Sequence, residues 1–182
     1  MTAHDSTPAA DTGDVEPLEP GQLGAYFALL EAVGLLQHAI EQQLRAEGDI
    51  SYVQFQLLAR LLEAPGPLTM TQLADGVVYS RSGLTYQAGL LEKAGLITRA
   101  PSPEDERATL VTLTDSGRDL FHRVLPGHVQ LSRDLLFDSL TDNDVDHLGD
   151  IMTRVRDHMR AQPPRSAAPR KSRATTPTTA PG

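Results

Sequence analysis

The sequence predicts a mainly α-helical fold with one small β-hairpin. Two short helical patterns, beginning at Thr69 and Ser80, are separated by only a few residues. Two short strands with a polar, charged connection follow, within residues 97–113. Longer helical patterns lie on both sides of this central region. A helix that leads into a charged two-stranded loop is typical of a winged helix-turn-helix, in which the hairpin is the wing.

The first two helices are predicted from apolar residues at helical spacing and from the residues that end each run. The first helix stops at Gly48, and the second runs from about Tyr52 to Leu62. The Ala64-Pro65-Gly66-Pro67 segment breaks the second helix, because proline lacks a backbone N–H and glycine is flexible. The apolar positions of the first helix are Leu23, Tyr26, Phe27, Leu30, Val33, Gly34, Ile40 and Leu44.

The third and fourth helices are predicted from their capping residues. Thr69 and Gln72 form a capping-box pattern, and this short helix ends near Gly76. Ser80 is placed to cap the fourth helix, which stops at Gly95. The brief turn between the two helices is the helix-turn-helix signature.

The hairpin and the last two helices complete the order of elements. The strands are expected at Ile97–Ala100 and Ala108–Leu113. Thr114 caps a fifth helix, and Pro126-Gly127 should kink or break it. Thr141 caps a sixth helix, whose apolar positions alternate by three and four and so suit packing against another helix. These positions are Val145, Leu148, Met152, Val155 and Met159.

Composition limits the classes of function. The 182 residues include no cysteine and no tryptophan, which excludes thiolate chemistry and disfavours an aromatic platform for single-stranded nucleic acid. The net charge of −8 argues against a non-specific nucleic-acid coat, although residues 69–125 are nearly neutral. Residues 1–20 (acidic) and 162–182 (basic and proline-rich) are expected to be disordered tails. We found neither a secretory signal nor an apolar run that suggests a membrane span, so we expect a soluble cytoplasmic protein without a membrane partner.

The fourth helix carries the candidate DNA contacts. At about 100° per residue, Ser82, Thr85, Tyr86 and Gly89 share one side of this helix, and Leu84, Ala88 and Leu91 share the other. A short polar face suits close approach to a major groove. The candidates are Ser80 and Arg81 near the start, Ser82, Thr85, Tyr86 and Gln87 along the helix, and Arg99 in the first strand of the wing. A solvated polar face is the alternative interpretation, and Gln87 could equally be a packing residue.

The wing tip adds two candidates, Asp105 and Arg107. We expect the Asp105 carboxylate to bond to Arg107 or to the loop backbone and to hold the guanidinium outward, toward a narrow minor groove. A surface ion pair without a function is the alternative for the loop taken alone.

Other classes of function find less support. The sequence has no nucleophile elbow, P-loop, metalloprotease or dinucleotide motif, so we expect no enzyme, no catalytic residue and no cofactor. His147 and His158 share a helix face but lie about 16 Å apart, too far to bind one metal ion. A metal-responsive regulator and a winged helix that binds only proteins remain as alternatives.

The region from about Leu23 to Met159 resembles the MarR (multiple antibiotic resistance regulator) family of winged-helix transcription factors. SRSGLTYQAGLLEKAGLI, the PEDERA wing and LTDSGRDLF carry the resemblance. It implies a MarR-like domain over residues 21–161, with dimerisation helices at 21–47 and 114–161 and the winged helix-turn-helix at 51–113. It also implies a homodimeric repressor that binds a pseudo-palindromic operator in double-stranded DNA. Many family members respond to small phenolic or anionic effectors. Tyr26, His38 and Tyr52 are the candidate contacts for such a ligand, and a packing role is the alternative for each.

Overall fold

The computed structural model describes residues 16–75, 81–103, 105 and 107–161, and for Arg81 it describes only the backbone. The helices are α1 (Pro20–Gly48), α2 (Tyr52–Glu63), α3 (Met70–Asp75), α4 (Arg81–Lys93), α5 (Asp115–Leu135) and α6 (Asp142–Ala161). The strands are β1 (Leu68–Thr69), β2 (Ile97–Pro101) and β3 (Thr109–Leu113). The mainly α fold class with a small wing is therefore confirmed. The predicted Ser80 cap and most of both predicted tails lie outside the described residues.

Three predicted caps are present as hydrogen bonds. The Thr69 amide donates to Oε1 of Gln72 at 2.8 Å, and the Gln72 amide donates back to Oγ1 of Thr69 at 3.2 Å. Thr114 Oγ1 accepts from the Gly117 amide at 3.0 Å, and Thr141 Oγ1 accepts from the Asp144 amide at 3.3 Å. Each bond satisfies an amide that the first helical turn leaves unpaired.

The end of α1 differs in detail from the expected glycine stop. Gly48 is still helical, and the residue with left-handed backbone is Asp49, at φ 52°. A Cβ built on Gly48 would lie 2.7 Å from Cγ1 of Val124. Gly48 is therefore needed for the close approach of α1 to α5 rather than for the turn.

The sheet has three strands rather than the two of a simple hairpin, in the order β1-β3-β2 and all antiparallel. Leu68 pairs with Val111, and Ile97 pairs with Leu113. A strand of two residues has too few positions for alternation to reveal it, which explains why β1 was not predicted.

Of the kink or break expected at Pro126-Gly127 in the fifth helix, the break is wrong. Helix α5 runs from Asp115 to Leu135 with Pro126 inside it. A Cβ on the neighbouring Gly127 would overlap the Glu47 carboxylate and would lie 2.8 Å from Nε2 of Gln43. Gln43 Nε2 also donates to the carbonyl of Val124 at 3.1 Å. Packing against α1 therefore holds the helix in one piece across its proline.

The chain divides into two compact units between Leu136 and Phe137. The core of the first unit is built from α1, α2, α3, α4, the sheet and α5, and its fully buried members include Leu44, Leu58, Leu73, Leu84, Val111 and Val124. The described part of the second unit contains a 3-10 helix, Phe137–Ser139, and α6. None of the α6 residues is buried, and Val145, Leu148 and Met152 of the predicted seam are half-buried.

Candidate nucleic-acid interface

Helix α4 presents one polar, exposed face. Leu84, Ala88 and Leu91 are buried in the core, with at most 1% of each residue exposed. Ser82, Thr85 and Tyr86 are exposed, and Tyr86 has 65% of its surface accessible. The division agrees with the predicted faces of the helix. Such a face can approach a nucleic acid closely because it carries hydroxyl groups and no bulky aliphatic side chain.

Gln87 lies between the two faces. It is half-buried, and its Oε1 atom is buried without a hydrogen-bond partner in the part of the chain that the structure describes. The predicted contact Arg81 is the first residue of α4.

The wing tip is held by a local hydrogen-bond network. Oδ1 of Asp105 accepts from the backbone amide of Arg107 at 2.9 Å. The Asp105 carbonyl accepts from Ala108, and the Ala108 carbonyl accepts from Ser102. Both Asp105 and Arg107 are exposed. The Asp105 carboxylate therefore bonds to the loop backbone, one of its two expected partners, and stabilises the turn that carries Arg107.

Arg99 occupies a different environment from Arg107. Its Nε donates to Oε2 of Glu92 at 2.9 Å, and 27% of its side chain is exposed. The hydrogen bond from Arg99, and to a smaller degree its charge, holds the pKa of the Glu92 carboxyl below its ordinary value despite opposing desolvation. The predicted contact Arg99 is thus engaged by a side chain of α4, and Glu92 is a site residue that the sequence did not indicate.

A compact junction joins α4, the wing and α5. Gly95 ends the α4 segment with φ 73°, and its carbonyl accepts from Oγ1 of Thr114 at 2.8 Å. The Thr114 amide donates to the Leu96 carbonyl at 3.1 Å. A Cβ built on Gly117 would overlap the carbonyl oxygen of Leu96. The start of α5 is therefore in direct contact with the residues that follow α4.

A cavity of about 690 Å³ lies beside this junction. It brings together the end of α1, the start of α2, the end of α4 and the start of α5. Its lining includes two arginines, two aspartates and several leucines: Arg45, Gly48, Asp49, Ile50, Gln54, Leu90, Leu91, Ala94, Leu96, Ser116, Asp119, Leu120 and Arg123.

The three predicted effector contacts do not line this cavity. Tyr26 is exposed and contacts the ring of Phe27 at a centroid distance of 5.4 Å. His38 hydrogen-bonds to Gln42 at 2.9 Å, and the Tyr52 amide donates to Glu41 at 2.6 Å. Tyr26 and His38, twelve residues apart on one helix, are separated by about 18 Å. Within residues 16–75, 81–103, 105 and 107–161, no group of three or more His, Asp or Glu side chains could bind a metal ion.

Comparison with known proteins places this architecture among regulators. A family model described as MarR family matches residues 48–108. The chain is 30% identical to the HTH-type transcriptional regulator PecS of Dickeya dadantii over 148 residues. The aligned region covers 80% of this chain and 85% of PecS.

Two solved structures from Streptomyces coelicolor share the fold. Sco3205, a MarR family transcriptional regulator solved in complex with DNA, has a TM-score of 0.78 and 32% identity, covering 85% of this chain and 96% of its own. AbsC, a MarR family transcriptional regulator, has a TM-score of 0.76 and 28% identity, covering 81% of this chain and all of its own.

Proposed function

Because this chain belongs to the MarR family of DNA-binding transcriptional regulators, we propose that it is a cytoplasmic homodimeric repressor. Its target is a pseudo-palindromic operator in double-stranded DNA, which α4 enters through the major groove while the wing reaches the neighbouring minor groove. A dimer seated across successive grooves excludes other proteins from that stretch of DNA, so repression follows wherever the operator overlaps a promoter.

The observation that carries the DNA-binding proposal is the combination of the exposed face of α4 with the hydrogen bond between Asp105 and Arg107 in the wing, both within one compact unit. Thr85 and Tyr86 supply a hydroxyl and an aromatic ring for base edges or phosphates. Arg107 stands exposed on a turn that Asp105 shapes, as an arginine directed into a minor groove requires.

The dimer proposal is supported by the apolar surface of α1. Phe27, Leu30 and Leu35 have 58%, 51% and 67% of their surfaces exposed. An 18-residue stretch of α1 reaches a mean hydropathy of 1.4, with 6% of it buried, so α1 has the length and composition of a membrane span. The sequence expectation considered only unbroken apolar runs and missed this. A second copy of the chain would cover this surface and would account for its hydropathy without a membrane.

The effector proposal places a small phenolic or anionic ligand in the cavity beside the junction. Arg45 and Arg123 suit an anionic group, Asp49 and Asp119 can accept from a hydroxyl, and the leucines suit an aromatic ring. The cavity contacts both α4 and α5, so a ligand that prefers one arrangement of these helices shifts the population that binds DNA. We expect phenolic carboxylates to weaken operator binding, and Arg123→Gln to remove that response while operator binding without ligand is unchanged.

Selection from a random double-stranded DNA library, at one near-physiological salt concentration, tests the proposal. A homodimer should enrich a pseudo-palindrome whose half-sites are centred about one helical turn apart. Enrichment of a single, non-repeated site would contradict the dimeric arrangement. Absence of any enrichment from folded, dimeric protein would favour a winged helix that binds other proteins.

A further inference from the structure

The ion pair between Glu92 and Arg99 connects the two elements that are proposed to contact DNA. Glu92 lies in the last turn of α4, and Arg99 is the middle residue of β2. Arg99 donates from both Nε, at 2.9 Å, and Nη2, at 2.5 Å, to Oε2 of Glu92. Two donors on one carboxylate oxygen form a directional, charge-assisted contact. Apolar packing alone gives no such directionality.

The position of Arg99 in the sheet directs its side chain toward α4. Successive residues of a strand point to opposite faces, so Arg99 shares a face with Ile97, two positions earlier, which is 1% exposed. Its partner across the ladder is Val111, which is fully buried. The guanidinium therefore lies on the core side of the wing strand.

Gly89 lies beside this contact on the helix. A Cβ built there would have one neighbour within 4 Å, the Nη2 atom of Arg99 at 3.9 Å. The guanidinium thus passes beside α4 one turn before it meets Glu92.

We propose that Glu92 and Arg99 are positioning residues, which set the distance and angle between α4 and the wing so that both contact one operator half-site. The inference rests on the proposed operator binding. It differs from the sequence expectation, in which Arg99 contacts DNA directly. The two roles predict opposite effects of removing the Glu92 charge. If Arg99 contacts a phosphate directly, loss of the carboxylate strengthens operator binding. If the pair positions the wing, its loss releases the wing and weakens operator binding.

Glu92→Gln is the decisive variant, and Asp157→Asn is its control. Both substitutions remove one negative charge, and Asp157 belongs to an exposed ion pair with Arg156 on α6. Affinities for the selected operator and for a scrambled duplex are measured at one salt concentration. We expect Glu92→Gln to lower the ratio of operator to scrambled affinity about fivefold, without loss of affinity for the scrambled duplex. Asp157→Asn should leave the ratio unchanged.

The ratio separates positioning from loss of folded protein, since a smaller folded fraction lowers both affinities together. A Glu92→Gln protein that binds the operator as tightly as wild type, or more tightly, overturns the inference. Additive weakening in the double variant Glu92→Gln/Arg99→Gln would also overturn the inference. If the two residues act as one pair, the second substitution should cost no further operator affinity. If the wild-type protein itself shows no preference for any operator, the proposed function is wrong. The wild-type measurement therefore distinguishes that failure from failure of the positioning role.

Discussion

Arg107 and Arg99 are eight residues apart in the chain, yet their surroundings assign them different tasks. Arg107 is exposed at the tip, where Asp105 accepts from its backbone amide and not from its side chain. Arg99 is partly buried at the base of the wing and is engaged by Glu92. One arginine is available for DNA, and the other is engaged within the protein.

Replacing Arg107 with alanine should weaken operator binding by about 1–3 kcal/mol and leave the fold and oligomeric state intact, because the side chain is exposed. Titration of a labelled operator measures the loss, and size-exclusion chromatography checks the assembly. Arg133→Ala, an equal change of charge at an exposed position of α5, is the control. Equal operator affinity of the Arg107→Ala and wild-type proteins would remove the wing tip from the interface.

His128 links stability to pH through its burial on α5. Its ring packs on Phe55 at a centroid distance of 4.6 Å, and its Nδ1 atom is buried without a partner among the described residues. Desolvation lowers the pKa of His128 below its ordinary value of about 6.5. The unfolded chain therefore takes up this proton at higher pH than the folded chain does, and stability falls as pH drops below the unfolded pKa.

We accordingly expect the urea midpoint of the wild-type protein to fall between pH 7.5 and pH 5.5. His128→Phe, which keeps a ring against Phe55, should show a smaller fall because the site no longer titrates. Identical pH dependence of the two proteins would show that His128 is protonated as readily in the folded chain as in the unfolded one.

At the scale of elements, the start of α5 is held at the junction with α4 and the wing. Leu96 accepts from the Thr114 amide, and Gly117 packs so closely that any side chain would meet the Leu96 carbonyl. A contact between two backbone segments has little freedom to adjust, whereas the ends of two side chains can move apart. The end of α4 and the first turn of α5 should consequently move as one body when DNA or an effector binds.

Gly117→Ala should therefore lower the free energy of unfolding by about 1–3 kcal/mol, the usual cost of overpacking. The added Cβ would also lie 2.7 Å from Cδ1 of Leu113. Gly149→Ala is the matched control, since its added Cβ on α6 would meet no described atom within 4 Å beyond the adjacent residues and backbone of its own helix, and alanine favours helix. Chemical denaturation measures both variants. Equal stability of the Gly117→Ala and wild-type proteins would mean that the junction relaxes freely.

The elements that the sequence revealed are those determined by neighbouring residues. Thr69, Thr114 and Thr141 cap helices through bonds to residues three positions later, so spacing alone predicts them. Strand β1 depends on pairing with β3 some forty residues later, and the Glu92–Arg99 pair depends on how a helix and a strand pack together. The continuity of α5 through Pro126 likewise depends on α1. Contacts between separate elements leave no periodic signal in the chain.

The charge of the whole molecule limits how it can bind DNA. A net charge of −8 and a nearly neutral region over residues 69–125 supply little non-specific attraction to phosphates. Operator affinity must then come from geometry: few arginines, each held in place, and two copies of the chain acting together. The ion pair of Arg99 and the hydrogen-bonded turn at Arg107 are consistent with binding through a few positioned arginines.

The proposed dimer would supply operator affinity as well as cover α1. Leu30→Glu should place a charge within the exposed apolar surface of α1, where it would be buried without a partner in the dimer, and should convert the protein to a monomer that binds the operator at least about tenfold more weakly. Gln37→Glu adds the same charge at an exposed polar position of the same helix and should stay dimeric. Sedimentation equilibrium and operator titration measure the two properties. A dimeric Leu30→Glu protein with full operator affinity would show that α1 does not form the interface, and binding of wild-type protein to neutral lipid vesicles would show that its apolar surface meets a membrane instead.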